Sequence, residues 1–213
     1  MINKNQHHFN NIIAGGIPLE TAKKVLIMLH GRGADAEDII SMAPNFNVRE
    51  FAILAPTATN NTWYPQSFLS ALIVNEPWLT AGLDLLKEMV IEVNEKGIST
   101  ENIYFLGFSQ GACLSMEFVA RNAQKYGGVA AFTGGLIGDK IYTENYSGDF
   151  RGTPIFIGSS NPDIHVPVER VEKSANLLRQ MNAIVTEKFY LNMGHTINQD
   201  EIDIVNDLIF NEK

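Results

Sequence analysis

Short, continuous apolar runs punctuate this chain, and they restrict its fold more than any other feature. "KVLIMLH" at 24–30, "FAILAP" at 51–56, and "GGVAAFTGG" at 127–135 read as strands buried on both faces, and "NIYFLGF" at 102–108 and "TPIFIGS" at 153–159 as further strands of the same series. Helical patterns lie between them. "ADAEDIISMAP" reads as a short helix stopped by Pro44, and Leu79, Leu83, Leu86, Val90 and Val93 recur at helical spacing until Gly97. "QGACLSMEFVARNAQKY" reads as a helix. Another starts at Pro167 with Val171, Ala175, Leu178 and Met181 on one face. An opening strand around "HHFNNIIAG", a strand at "AIVTEKFYL" and a closing amphipathic helix at "NQDEIDIVNDLIF" complete the series. Strands alternating with helices imply an α/β fold: a mostly parallel central sheet with helices on both faces. No repeat or linker divides residues 1–213, which read as a single domain without a large lid domain.

Composition removes several classes of function. The 213 residues carry a formal net charge of −8, with 45% hydrophobic and 19% charged residues. No basic patch is visible, so nucleic acid is not an expected partner, and stable association with anionic membranes is disfavoured. Cys113 is the only cysteine, which rules out an intrachain disulfide and fits a reducing compartment. The first residues lack the apolar segment of a signal peptide and no run reaches the length of a membrane span, so a cytoplasmic location is expected. His7 and His8 are adjacent, but no other ligand type clusters with them in sequence. They read as solvent-exposed, and no metal is expected.

In a parallel sheet ligands bind beyond the carboxyl ends of the strands, so each candidate residue is tested by its position relative to such an end. Gly107-Phe108-Ser109-Gln110-Gly111 spells G-x-S-x-G between the strand "IYFLGF" and a helix. That context suits a nucleophile elbow, whose turn is so tight that side chains at 107 and 111 would collide. A serine nucleophile needs a base, and His195 follows the last strand in "YLNMGHTIN". His30 and His165 read instead as loop histidines that shape the site through hydrogen bonds. The imidazole needs a carboxylate, and Asp163 in "GSSNPDIHVP" follows a strand and precedes a helix, whereas Asp139 and Asp149 read as solvated loop carboxylates. The order Ser109, Asp163, His195 is that of α/β-hydrolases. An oxyanion then needs donors, for which the backbone N–H groups of Gln110 and of Arg32, in "GRGAD", are expected.

"LHGRGAD", "GFSQGACLS", "NPDIHVP" and "NMGHTI" occur in this order and together resemble the phospholipase/carboxylesterase family of small α/β-hydrolases, which includes acyl-protein thioesterases. The resemblance covers nearly the whole chain. It implies a serine hydrolase of carboxylic esters or thioesters, with no metal or organic cofactor and with the same five residues in the same roles. A homodimer is also consistent with the resemblance. Arg32 stands where acyl-protein thioesterases usually carry an apolar residue. Its guanidinium would either favour substrates bearing a carboxylate or point to solvent and pair with Asp35. The stretch "NNTWYPQSFLSALIVNEPW" resembles bacterial carboxylesterases of the family more than its lipid-handling members.

The expected activity is therefore a serine carboxylesterase acting on small or short-chain esters through an acyl-enzyme. The alternatives are a thioesterase or lysophospholipase for longer acyl chains and a catalytically idle binding module of the same fold. Trp63, Tyr64 and Phe68 in the long loop, Leu136 and Ile137 in "GGLIG", and Met193 beside His195 are candidates to line the pocket with Arg32. For Tyr64, tying down a surface loop is an equal reading. Cys113 lies on the same helix face as Ser109 but has no base placed for it, and reads as packing.

Overall fold

The computed structural model describes His7 and residues 11–211. Its strands are β1 (Ile12–Gly16), β2 (Lys24–Leu29), β3 (Phe51–Pro56), β4 (Ile103–Phe108), β5 (Gly128–Phe132), β6 (Pro154–Asn161) and β7 (Ile184–Leu191). Its α-helices are α1 (Ala36–Ile40), α2 (Trp78–Glu95), α3 (Gln110–Arg121), α4 (Val168–Gln180) and α5 (Gln199–Leu208). The strands form one sheet in the order β1-β3-β2-β4-β5-β6-β7. Only β1 runs antiparallel, against β3.

Side-chain alternation explains the layers. Val25, Ile27 and Leu29 of β2 enter a core shared with α2, α3 and α4, while Leu26 and Met28 enter a second core shared with α1 and α5. All five are fully buried, and each contributes about 1.5–3 kcal/mol through burial. A strand covered on both faces has no place for polar residues, which is why these segments read as unbroken apolar runs. Among the described residues, no helix is long and apolar enough to cross a membrane.

Several element ends differ from those expected. The first helix closes at Ile40, and Pro44 lies within a separate 3-10 turn, Ala43–Asn45. The third closes at Arg121, where Asn122 leaves helical geometry and its side chain donates to the Phe118 carbonyl. Pro167 caps α4 from an extended conformation rather than starting its first turn. Of the expected opening strand, Ile12–Gly16 form β1, while residues 8–10 lie outside the described residues.

His7 is buried instead of solvent-exposed. Its ring bridges the loop after β3, with Nδ1 accepting from the Thr59 N–H at 3.2 Å and Nε2 donating to the Trp63 carbonyl at 3.0 Å. It also packs against the Trp63 and Trp78 rings at 5.4 and 5.6 Å. Aromatic packing and two backbone partners hold this polar ring in the interior. His8 lies outside the described residues.

The chain reverses its direction of travel across the sheet at β2. It steps to β3 on one side, then returns to lay β4 on the other, with Leu29 opposite Gly107. The loops after β2 and β4 therefore emerge side by side, at the switch point where doubly wound sheets form their crevice.

Candidate active site

Ser109 occupies the single step between the end of β4 and the start of α3. Its backbone is held at φ 53°, ψ −115°, a conformation that costs a non-glycine residue about 1–3 kcal/mol. The surrounding structure fixes this geometry. The Ser109 N–H donates to the Phe132 carbonyl at 2.9 Å, and the Ser109 carbonyl accepts from the Cys113 N–H at 3.0 Å. The flanking glycines allow the close approach: a Cβ at Gly107 would lie 2.5 Å from the Gly111 backbone, and one at Gly111 would lie 2.1 Å from the Leu29 carbonyl oxygen.

Ser109, His195 and Asp163 form one hydrogen-bonded chain. His195 Nε2 lies 2.8 Å from Ser109 Oγ, and His195 Nδ1 lies 2.9 Å from Asp163 Oδ2. With Nδ1–H donating to the carboxylate, Nε2 is left to accept the serine proton. Asp163 Oδ1 accepts from the His165 and Val166 N–H groups at 2.7 and 2.9 Å. Burial pushes the Asp163 carboxyl upward, but its bonds to His195 and to the two N–H groups outweigh this and hold it below its usual value. It is thus anionic at neutral pH. Asp139 and Asp149 are exposed and engaged locally, with the Tyr142 hydroxyl at 2.6 Å and the Arg151 N–H at 2.7 Å.

The loop carrying His195 is tied to the sheet on one side and to α5 on the other. The Asn192 N–H donates to the Asn161 carbonyl, and the Gly194 N–H to Ser160 Oγ, each at 3.0 Å. Beyond His195, Asn198 and Glu201 exchange side-chain and backbone bonds of 2.9 Å in a capping box at the start of α5. The His195 ring packs against Phe108 at 5.2 Å and against His165, edge-on, at 5.0 Å.

The β2–α1 loop passes beside Ser109, close enough that a Cβ at Gly31 would lie 3.5 Å from the serine Cβ. The Gln110 N–H is at the start of α3, where N–H groups have no intrahelical partner. His30 beneath this loop is fully buried, with Nδ1 donating to the Gly31 carbonyl at 2.7 Å and Nε2 accepting from the Ala58 N–H at 3.0 Å.

The side chains of Arg32 and Gln110 have a role that sequence reasoning missed. Arg32 Nη1 donates to the Pro65 carbonyl at 3.0 Å, and Nη2 donates to the carbonyls of Tyr64 and Gln66 at 2.9 and 2.7 Å. The guanidinium thus grips the loop after β3, neither pointing free into solvent nor pairing with Asp35, whose carboxylate caps α1. Gln110 grips the same loop, accepting from the Trp63 N–H at 2.8 Å and donating to the Tyr64 carbonyl at 2.8 Å.

A cavity of about 600 Å³ opens over Ser109, Gln110 and His195. Tyr64, Phe68, Leu69 and Val166 supply apolar wall, and Gln66, Ser67 and His165 supply polar wall. Of the expected lining residues, Arg32 and Phe68 border it. Trp63 does not: it is fully buried, with its indole N–H on the His30 carbonyl at 2.9 Å. Leu136 and Ile137 are also buried away from it. Their N–H groups donate to Ser174 Oγ and to the buried Glu117 carboxylate, each at 2.9 Å, which pulls the loop into the core. Met193 faces α5, where its sulfur accepts from Asn198 Nδ2. Cys113 is buried at the cavity floor, and burial pushes its thiol up to about 12, so it is no competing nucleophile at neutral pH.

The family model described as Phospholipase/Carboxylesterase matches residues 11–211. The crystal structure of a phospholipase/carboxylesterase from Dyadobacter fermentans superposes with a TM-score of 0.95 at 51% identity, covering 97% of this chain and 98% of that one. The probable carboxylesterase SOBER1-like of Arabidopsis thaliana is 27% identical over 198 residues, spanning 85% of this chain and 76% of its own. Acyl-protein thioesterase 1 of Gibberella zeae is 30% identical over 143 residues, 64% of this chain and 60% of its own. A strained serine between strand and helix, a mostly parallel sheet and a match along nearly the whole sequence agree: the chain belongs to the phospholipase/carboxylesterase family of α/β-hydrolases.

Proposed function

We propose that this protein is a serine carboxylesterase acting on small or short-chain carboxylic esters through an acyl-enzyme. The observation that carries the proposal is the unbroken hydrogen-bonded chain from Asp163 through His195 to a backbone-strained Ser109. Ser109 Oγ attacks the ester carbonyl while His195 Nε2 takes its proton, and Asp163 stabilises the resulting imidazolium. The tetrahedral oxyanion is met by the N–H groups of Arg32 and Gln110, the latter at the positive end of α3. His195 then protonates the departing alkoxide and activates water to release the acid. Support for this sequence comes from the distances of 2.8 and 2.9 Å that link the His195 ring to Ser109 and Asp163.

The mixed wall of the cavity over Ser109, with Gln66, Ser67 and His165 beside Tyr64 and Phe68, favours small esters over long apolar chains. A second reading, thioester hydrolysis, draws support from the similarity to acyl-protein thioesterase 1. Paired ester and thioester substrates of one acyl length separate the two.

A fluorophosphonate probe is expected to label the wild type and not Ser109→Ala. Hydrolysis of a short-chain ester should fall by about four to six orders of magnitude in that variant. Equal labelling of both proteins would remove the assignment.

A further inference from the structure

A second cavity adjoins the first. It measures about 280 Å³ and is walled by Gly31 and Ala34 of the β2–α1 loop, Ile39 and Met42 at α1, Phe108 and Ile197. Three of these residues, Gly31, Ala34 and Phe108, also border the larger cavity, so the two spaces share a partition beside the nucleophile. Ser109 and His195 themselves open only into the larger one. The partition lies on the histidine side: Phe108 packs on the His195 ring at 5.2 Å, and Ile197 follows in the same loop.

The chemistry of acyl transfer gives each space an occupant. With the carbonyl oxygen held at the N–H groups of Arg32 and Gln110, the two remaining substituents of the carbonyl carbon must diverge. The alkoxy oxygen has to lie towards His195 Nε2, because that nitrogen returns the proton as the bond to the alcohol breaks. The acyl substituent points the other way, towards Tyr64 and Phe68. We infer that the cavity walled by Ile39, Met42, Phe108 and Ile197 receives the alcohol half of the ester, and that it selects compact, neutral, apolar alcohols such as benzyl or short branched alkyl groups. This inference rests on the serine-esterase reading and assigns the leaving-group side of that site.

Size and charge set the class. A cavity of about 150 Å³ holds benzene, so this one of about 280 Å³ accommodates an aryl group with its linking carbon. The acidic side chain on its wall is Asp38, whose carboxylate already accepts from the Asp35 N–H. A carboxylate- or phosphate-bearing alcohol would be repelled there. His30 and Thr196, also on the wall, are polar but uncharged, and both ring nitrogens of His30 are engaged by the backbone.

Isomeric substrates test the assignment, because they place one phenyl group on opposite sides of the carbonyl. Values of kcat/KM are measured for methyl acetate, benzyl acetate and methyl phenylacetate with the wild type, Met42→Trp and Met42→Ala. The benzyl-to-methyl acetate ratio should fall by about tenfold or more in Met42→Trp, while the methyl phenylacetate-to-methyl acetate ratio shifts by no more than about twofold. Met42→Ala enlarges the space and decides the matter if the tryptophan variant does not fold. With naphthylmethyl acetate added to the panel, its kcat/KM relative to benzyl acetate should rise about tenfold in this variant. Benzyl ratios that stay put in both variants would overturn the inference, as would a fall confined to methyl phenylacetate, which would place the acyl group in the smaller cavity. A wild type that hydrolyses none of the three and takes no fluorophosphonate label removes the esterase reading as well. A labelled, active enzyme with unmoved ratios removes the subsite alone.

Discussion

The sheet edge at the turn that carries Ser109 and the loop that walls the larger cavity lie side by side, yet they are held by different forces. At the sheet edge, position follows from strand register and from backbone packed against backbone, with Leu29 opposite Gly107 and no room for a Cβ at Gly107 or Gly111. In the loop after β3, position follows from side chains reaching in from elsewhere: Arg32, Gln110 and His7 bind its main-chain groups. A register cannot loosen without unfolding strands, whereas a loop gripped by side chains can be released one bond at a time. The candidate nucleophile thus sits in the part of the molecule that cannot give, and the wall of its cavity in the part that can.

The largest expected effect tests the rigid side. In Gly111→Ala the new methyl would fall 2.1 Å from the Leu29 carbonyl oxygen, so strand and helix must separate. Chemical denaturation should show a loss of about 3 kcal/mol or more, or the protein should not accumulate in folded form. Wild-type stability in this variant would mean that the elbow yields more than its geometry allows.

Next in size is a pH effect from beneath the His195 loop. Glu201 is fully buried; a Cβ at Gly158 would lie 2.0 Å from its Oε1. Burial pushes its carboxyl up to about 7, against the opposing pull of the Asn198 N–H. Between the ordinary glutamate range and about 7 the folded chain keeps a proton that the unfolded chain releases. That contribution is present in full at low pH and is lost as pH rises through this window. Glutamine cannot ionise, so the stability of the wild type relative to Glu201→Gln should fall by about 3 kcal/mol between pH 4.5 and pH 8. Urea unfolding at the two pH values measures it, and a pH-independent difference would mean that Glu201 titrates as an ordinary surface carboxylate.

The smallest effect belongs to the loop. Arg32→Lys keeps the charge but loses the planar fork that reaches the carbonyls of Tyr64, Pro65 and Gln66. Global stability should fall by only about 1–2 kcal/mol. Amide exchange at Trp63 and Gln66 should accelerate, and KM for the ester should rise more than kcat changes. Unaltered exchange at those amides would show that the guanidinium does not hold the loop, and the contrast between the two regions would lose its basis.

The same contrast explains what the amino-acid sequence reveals. The central strands of the sheet are legible because a strand covered on both faces must be apolar throughout, as Val25 to Leu29 are. Ser109, Asp163 and His195 are legible as candidates because each follows a strand end, and the structure brings them within hydrogen-bond distance. The wall of the cavity is not legible in the same way. Trp63 has the composition of a pocket aromatic, but its indole N–H finds the His30 carbonyl in the core. Leu136 and Ile137 follow a strand end, yet Glu117 and Ser174 draw their backbone inward. His7 has the look of terminal filler until the Trp63 carbonyl and the Thr59 N–H are placed around it. In each case the deciding partner is a backbone group or a buried polar side chain remote in sequence, and main-chain acceptors leave no mark on residue type. Gln110 offered a faint signal, an amide at a strand-to-helix turn with donors and acceptors to satisfy.

The carbonyl of Tyr64 accepts from Arg32 Nη2, Gln110 Nε2 and Thr62 Oγ1, and the other carbonyls that Arg32 holds, of Pro65 and Gln66, also belong to the main chain. Every amino acid supplies a main-chain carbonyl. The side chains at 64, 65 and 66 can therefore be exchanged without removing a single acceptor from this grip, so long as the backbone keeps its path. Such a clamp is indifferent to what it holds, which leaves descendants of this chain free to retune what they admit while the serine and its partners stay where they are.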